Sequence, residues 1–274
     1  MNHVEAISKY IETLKATPDL NVLVIEGPPG WGKTVTVTKA LSKTKTKELI
    51  LSSYSTPLNL YNFIAEHAHD VIVLDDCSGL FSDQNAMGIL KAATWPTSGE
   101  KRKVSWGSTS GKAIVPEFEF FGKLIIICNS FPTTPDGEAV KSRGLSRRFD
   151  FSVIEAAELL LSAAKDKSWF PNTEMALSVA EFLVAHLNKS NVAKISYRTL
   201  KNGCRLAEGH PEIWKELLAP MLPIEKIDPD DLVQELATQD IRVKDQMRIF
   251  KEKTGLKERT FYLLRKENGL SRTA

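Results

Sequence analysis

Val22-Leu23-Val24-Ile25-Glu26-Gly27-Pro28-Pro29-Gly30-Trp31-Gly32-Lys33-Thr34 decides the fold. Its four leading apolar residues read as a buried strand. The eight residues from Gly27 to Thr34 fit the phosphate-loop pattern G-x-x-x-x-G-K-[ST], and apolar positions beyond them open a helix. Glycines at Gly27, Gly30 and Gly32 let the backbone wrap a triphosphate with its N–H groups turned inward. Pro28, Pro29 and Trp31 fill the variable positions of that cradle. Lys33 is placed to reach the outer phosphates, and the Thr34 hydroxyl to ligate Mg²⁺. A Gly/Pro turn that merely holds a lysine would not need the strand before it and the helix after it. Nucleoside triphosphate binding is the expectation.

A second apolar run, Val71-Ile72-Val73-Leu74, ends in Asp75-Asp76, about forty residues downstream. Paired with a phosphate loop, the first carboxylate suits Mg²⁺ and the second suits polarising an attacking water. A strand ending in a polar turn would account for either acid alone. A third run, Leu124-Ile125-Ile126-Ile127-Cys128, ends in Asn129, whose amide could orient that water; Asn is also a common turn residue.

The order of phosphate loop, acidic strand end, Asn-ended strand, arginine-rich segment and helical region resembles the AAA+ ATPases over roughly residues 1–222. Gly-Pro-Pro-Gly-x-Gly-Lys-Thr is the loop form common in that family, which usually has Asp-Glu where this chain has Asp75-Asp76. The resemblance implies ATP and Mg²⁺ as cofactors. It implies a homo-oligomeric ring, expected as a hexamer, with nucleotide between subunits. Ala139-Val140-Lys141-Ser142-Arg143-Gly144-Leu145 resembles the Ser-Arg segment whose arginine crosses to the neighbour's γ-phosphate. Arg143 is the first choice for that role, with Arg147 and Arg148 as rivals one register shift away. Ile195-Ser196-Tyr197-Arg198-Thr199-Leu200 resembles the start of the lid helix, with Ser196 as N-cap and Arg198 reaching the nucleotide.

The remaining pattern fits an α/β P-loop NTPase with a parallel sheet, an α-helical lid and a small C-terminal helical DNA-binding domain. Val4, Ile7, Ile11 and Leu14 mark an amphipathic first helix. Residues 48–51 read as a strand, 58–67 as a helix and 149–153 as the last core strand. From Glu155 to Leu222 the pattern is helical, broken by Pro171, Asn188-Lys189-Ser190 and His210-Pro211 into roughly four helices. Residues 223–229 read as a linker. The implied domains are 1–154, 155–222 and 229–274.

Two segments point to DNA. Lys101 to Trp106 and Ala113 to Phe120 alternate polar and apolar residues around a Gly/Ser turn, which predicts a β-hairpin with Pro116 on an edge. This hairpin resembles the pre-sensor hairpin of superfamily 3 helicases and branch-migration motors. There Lys101, Arg102, Lys103 and Lys112 would grip phosphates; a packing or oligomerisation role is the alternative. At the end of the chain, Asp230–Leu236, Asp245–Lys253 and Lys257–Lys266 read as three helices with a turn at Thr254-Gly255-Leu256. As a helix-turn-helix, the last helix would offer Lys257, Arg259, Tyr262, Arg265 and Lys266 to a groove; a protein-docking bundle would look similar.

Charge suggests a polyanion partner at the end of the chain, with a lysine-rich solvated helix surface as the alternative. The chain is +2 overall, yet residues 241–274 hold ten Lys/Arg against four Asp/Glu, leaving the preceding residues at −4. No apolar run approaches the ~20 residues of a membrane span, and the start lacks a signal-peptide stretch, so a cytoplasmic protein without membrane partners is expected. Cys77, Cys128 and Cys204 are too few and scattered for a disulfide framework or zinc site. Three readings follow: a helicase-like ATPase motor for replication or recombination of a mobile element, working with other such proteins; an ATP-controlled DNA-binding switch such as a loader, initiator or transposition regulator; and a protein-remodelling ATPase.

Overall fold

β1 (Val22–Glu26) is buried along its whole length and lies between two parallel neighbours. The computed structural model describes residues 3–52, 54–95, 102–107, 112–222, 229–239, 241–254 and 256–270. The chain divides into two compact units, Met1–Ala219 and Pro220–Ala274.

In the first unit, β1 joins β2 (Ile50–Ser52), β3 (Val71–Asp75), β6 (Lys123–Cys128) and β7 (Gly144–Arg148) in a parallel sheet ordered β2-β3-β6-β1-β7. The inner strands are runs of Val, Ile and Leu because both faces are covered. Val24, Ile72, Leu74, Leu124 and Ile126 face one layer, with α3 (Pro57–Glu66) and α5 (Gln84–Thr94). Leu23, Ile25, Val73, Ile125 and Ile127 face the other, with α1 (His3–Ala16) and α2 (Lys33–Lys43). Because the strands run parallel, the carboxyl ends of β1, β3 and β6 meet at one edge. There β1 is flanked by strands distant in sequence, the position where such sheets bind ligands.

The last strand differs from the sequence expectation. It is Gly144–Arg148, and residues 149–153 are not a strand. Gly-Leu-Ser-Arg-Arg carries no buried-strand signature because β7 lies at the sheet's edge and pairs with β1 alone. Phe149 and Phe151 pack instead into the α1–α2 layer, and Ser152 caps α7 (Val153–Ala164) in a reciprocal capping box with Glu155. The second strand is also displaced, to Ile50–Ser52.

The expected hairpin is present as β4 (Arg102–Ser105) paired antiparallel with β5 (Glu117–Phe120). Its expected tip, residues 108–111, lies outside the described residues, as do Lys101, the linker at 223–228 and Gly255. Beyond α7, three more helices follow in the first unit: α8 (Thr173–Ala185), α9 (Tyr197–Gly209) and α10 (Trp214–Leu218). Buried Leu160, Val179, Leu183, Leu200 and Leu218 hold these helices together.

The second unit has α11 (Pro229–Ala237), α12 (Val243–Thr254) and α13 (Glu258–Glu267), close to the spans expected. Leu232, Val233, Leu236, Phe250 and Phe261 form its core, with the two phenylalanine rings 5.3 Å apart.

Gly144 sets how closely β7 can approach β1, since a Cβ there would collide with the Val22 carbonyl. Gly144→Ala should therefore cost about 1–3 kcal/mol through overpacking. Gly88→Ala, in the interior of α5 where a Cβ meets nothing, should gain about 0.5–1 kcal/mol. Chemical denaturation of both variants checks the contrast.

Candidate nucleotide site

The phosphate loop leaves β1 and enters α2 through Gly32, whose left-handed backbone (φ 75°) occupies the N-cap position. No side chain caps α2, so its first N–H groups remain available to an anion. Gly30 (φ 84°) is obligatory twice over: the conformation disfavours other residues, and a Cβ would run into Ser196 Oγ. The start of α9 thus rests directly on the loop.

Lys33 is only 8% exposed. Its ammonium donates to Gly27 O at 2.7 Å, Pro28 O at 3.0 Å and Asn129 Oδ1 at 3.1 Å. Burial lowers its pKa, opposed by Cys128, Asp75 and Asp76. Thr34 Oγ1 donates to Asp75 Oδ2 at 2.9 Å. Burial raises the Asp75 pKa; the Thr34 hydrogen bond opposes this and the adjacent Asp76 charge adds to it. A hydroxyl and a desolvated carboxylate in contact are hard oxygen donors that fit Mg²⁺. Asp76 follows in a left-handed turn (φ 55°), its N–H held by Ile127 O at 3.1 Å. These groups line a cavity of about 520 Å³, which Arg198 and Lys201 enter from α9 and Trp169 from the loop before α8.

The candidate arginines separate along β7. Because Gly144 pairs with Val22 and Arg148 with Glu26, Arg143 lies at the sheet's opposite end from the phosphate loop. Its guanidinium donates to Lys91 O at 2.6 Å and sits 4.6 Å from the Trp95 ring. That corrects the preference for Arg143: it braces α5 within its own chain. Arg147 and Arg148 lie at the site's end of the strand. Arg147 Nε is buried without a hydrogen-bond partner among the described residues, while the Arg148 side chain is 70% exposed and ion-pairs with Asp150 at 3.0 Å.

No family model matches the chain. It is 32% identical over 121 residues to an uncharacterised 36.7 kDa protein from the nrdC–mobD intergenic region of enterobacteria phage T4. That match covers 40% of this chain and spans only 36% of the phage protein. Among solved structures, a mutant form of Thermotoga maritima RuvB aligns over 97% of this chain and 87% of its own, with a TM-score of 0.50 at 15% identity. A second RuvB mutant aligns over 94% and 84%, with a TM-score of 0.50 at 13% identity. Taken with the strand order, these neighbours settle the architecture. The chain has the AAA+ P-loop NTPase fold.

Trp31 was expected in the phosphate cradle, and its place differs; neither the aromatic cavity around it nor Lys201 was foreseen. Trp31 does not line the cavity around Lys33; it is 2% exposed, with its ring 4.6 Å from Phe151 and 5.2 Å from Tyr197. A second cavity of about 340 Å³ opens beside Gly32, walled by His3, Trp31, Phe149, Phe151, Trp169 and Tyr197. Trp31 Nε1 is buried there without a partner among the described residues. These aromatics are scattered from position 3 to position 197, so no local motif announces them. Lys201, one turn beyond Arg198, could have been found from helical spacing.

The DNA candidates divide likewise. Arg102 is buried and donates to Ala93 O and Gly122 O, each at 2.8 Å, which corrects its assignment as a DNA contact. Burial brings its pKa down to about 10. Lys103 is exposed and ion-pairs with Glu117 at 3.2 Å; Lys112 is exposed, and its carbonyl accepts from Asn62. On α13 and the residue before it, Lys257, Arg259, Tyr262 and Lys266 are exposed. Arg265 is not free: it donates to Gln246 Oε1 at 2.6 Å and Leu270 O at 2.9 Å, bracing the bundle. No helix among the described residues is long and apolar enough to cross a membrane.

Arg102→Met should leave two buried carbonyls unpaired, costing about 1–3 kcal/mol each, and should lower the thermal midpoint. Its DNA affinity should equal wild type's. Thermal unfolding and fluorescence-anisotropy titration with DNA check both halves.

Proposed function

We propose that this chain is a Mg²⁺-dependent ATPase that works on DNA as an oligomeric, helicase-like motor, with replication or recombination of a mobile element as its setting. The observation that carries this reading is the convergence of Lys33, Thr34–Asp75, Asp76 and Asn129 on one cleft, with Arg198 and Lys201 contributed by the lid.

Each residue has a role in hydrolysis. Lys33 exchanges its loop carbonyls for phosphate oxygens, and the α2 N–H groups hold the same anion. Thr34 and Asp75 would hold Mg²⁺, which supplies charge neutralisation at the phosphates. Asn129 orients the attacking water and Asp76 accepts its proton. The aromatic cavity beside Gly32 suits a purine, which stacks on flat rings. Arg198 and Lys201 meet the phosphates from the lid. Arg148, exposed beside this edge of the sheet, is the arginine offered to a neighbouring copy in a ring, with Arg147 next to it. A phage relative over part of the chain is consistent with a mobile-element setting, and the three-helix unit, whose ten Lys/Arg all fall in residues 241–274, is the DNA-binding module.

One observation favours a second reading, an ATP-controlled DNA-binding switch that does not translocate. Of the hairpin's candidate cations, Arg102 is buried and Lys103 is paired, which leaves less of the hairpin to grip DNA. ATP-dependent strand unwinding separates the two, since a switch binds DNA and hydrolyses slowly without unwinding it.

Lys33→Ala should abolish ATP binding. Asp76→Asn should retain binding and lose turnover by about 10²–10⁴-fold. Arg148→Ala should bind ATP normally yet lose about 10³-fold in turnover, whereas Arg143→Ala should turn over as wild type does. Steady-state ATPase assays beside equilibrium binding check this ordering; an active Arg148→Ala protein would sink the trans-acting assignment.

Removing residues 229–274 should eliminate DNA binding. Arg259→Ala with Lys266→Ala should weaken it and flatten its salt dependence by about two phosphate contacts. Titrations at several salt concentrations test this directly, and unchanged binding would leave a protein client for the bundle.

A further inference from the structure

Glu26 is the last residue of β1 and directly precedes the phosphate loop, yet it is only 7% exposed. A buried anion there opposes the binding of a triphosphate, so phosphate recognition does not account for it. Both of its oxygens are engaged. Oε1 accepts the Phe131 N–H at 2.9 Å, two residues beyond Asn129. Oε2 meets Lys141 Nζ at 2.8 Å, in the last turn of α6 (Pro135–Lys141). Three residues later the chain enters β7, which carries Arg147 and Arg148.

Burial alone would raise the Glu26 pKa, but hydrogen bonds from Lys141 and Phe131 and the charges of Lys141 and Arg148 hold it below the usual carboxylate value. The group is therefore an anion at neutral pH. Apolar packing would fill the same space without the desolvation cost of a buried pair. What the charge adds is geometry: one carboxylate ties the loop after β6 and the segment leading into β7 to the strand end that holds the phosphates.

We propose that Glu26 is a positioning residue for hydrolysis, fixing the water-orienting Asn129 loop and the arginine strand in register with the phosphate loop. The inference rests on the ATPase reading above. Glu26 touches neither phosphate nor water in this role; it acts through Phe131 N–H and Lys141.

The test uses the full chain as wild type, Glu26→Leu, Glu26→Gln and Lys141→Met. Three quantities are measured: affinity for a fluorescent N-methylanthraniloyl-ATP, steady-state turnover, and hydrogen–deuterium exchange of the free protein. Affinity should stay within about threefold of wild type, while turnover falls by about tenfold or more in Glu26→Leu. Glu26→Gln keeps an acceptor for Phe131 N–H and should lose less. Exchange should quicken in segments 129–134 and 141–148 and stay unchanged in 27–34. Lys141→Met, altering a partly exposed side chain, reports on the tether even where Glu26→Leu fails to fold.

Unchanged turnover in every variant overturns the proposal. So does a parallel fall in affinity and turnover, which would make Glu26 a support of the loop itself. A wild-type chain without ATP turnover would defeat the ATPase reading instead. The exchange data then decide the tether alone: faster exchange in the two segments upholds it, and unchanged exchange overturns it.

Discussion

A buried ammonium must be paired, and the Lys33 ammonium organises this site. It takes the carbonyls of Gly27 and Pro28 from its own loop and the amide oxygen of Asn129, the residue after β6. Those three bonds tie the ends of two neighbouring strands to the start of α2 before any ligand arrives. Under the proposed role, a triphosphate would compete for a cation already desolvated and oriented, whose side chain has little conformational freedom left to lose.

The same logic extends to the lid. Gly30 admits Ser196 and Gly32 lies beside the Tyr197 ring, so the first turn of α9 is packed against the phosphate loop. Trp31 completes the contact by placing its ring between Phe151 and Tyr197. The loop is thus joined to the helix that carries Arg198 and Lys201 through the Trp31 and Tyr197 rings, 5.2 Å apart. The tryptophan in the loop is better understood as part of this contact than as part of phosphate binding.

What could be read in advance follows from how local each signal is. The loop, the Asp75-Asp76 strand end and Asn129 were legible because short apolar runs fix their position within one or two residues. The strand at 144–148 was not, because an edge strand paired on one side needs little apolar patterning, and the aromatic run after it resembled a strand more closely. The aromatic cavity was illegible for a different reason: its walls come from α1, the phosphate loop, the segment after β7 and the lid, and only tertiary structure assembles them. Arg102 shows the limit of reading charge. In a Lys-Arg-Lys run its alternation with Val104 already placed it on the inward face of β4, where burial pattern outweighs charge.

That lesson redraws the chain's electrostatics. Arg102, Arg143, Lys123 and Arg265 all donate to backbone carbonyls, and each joins segments distant in sequence or stabilises a chain end. A guanidinium with five donors suits this work where several carbonyls lack strand or helix partners. Net charge therefore overstates the cationic surface open to a polyanion. Of the cations proposed as DNA contacts, those left exposed and without an ion pair among the described residues are Lys257, Arg259 and Lys266 beside Tyr262, at and just before the second unit's last helix, and the hairpin's Lys112. Under the proposed DNA-binding role, these long cationic side chains are the ones with the reach for phosphates and base edges, whereas the buried arginines serve the fold.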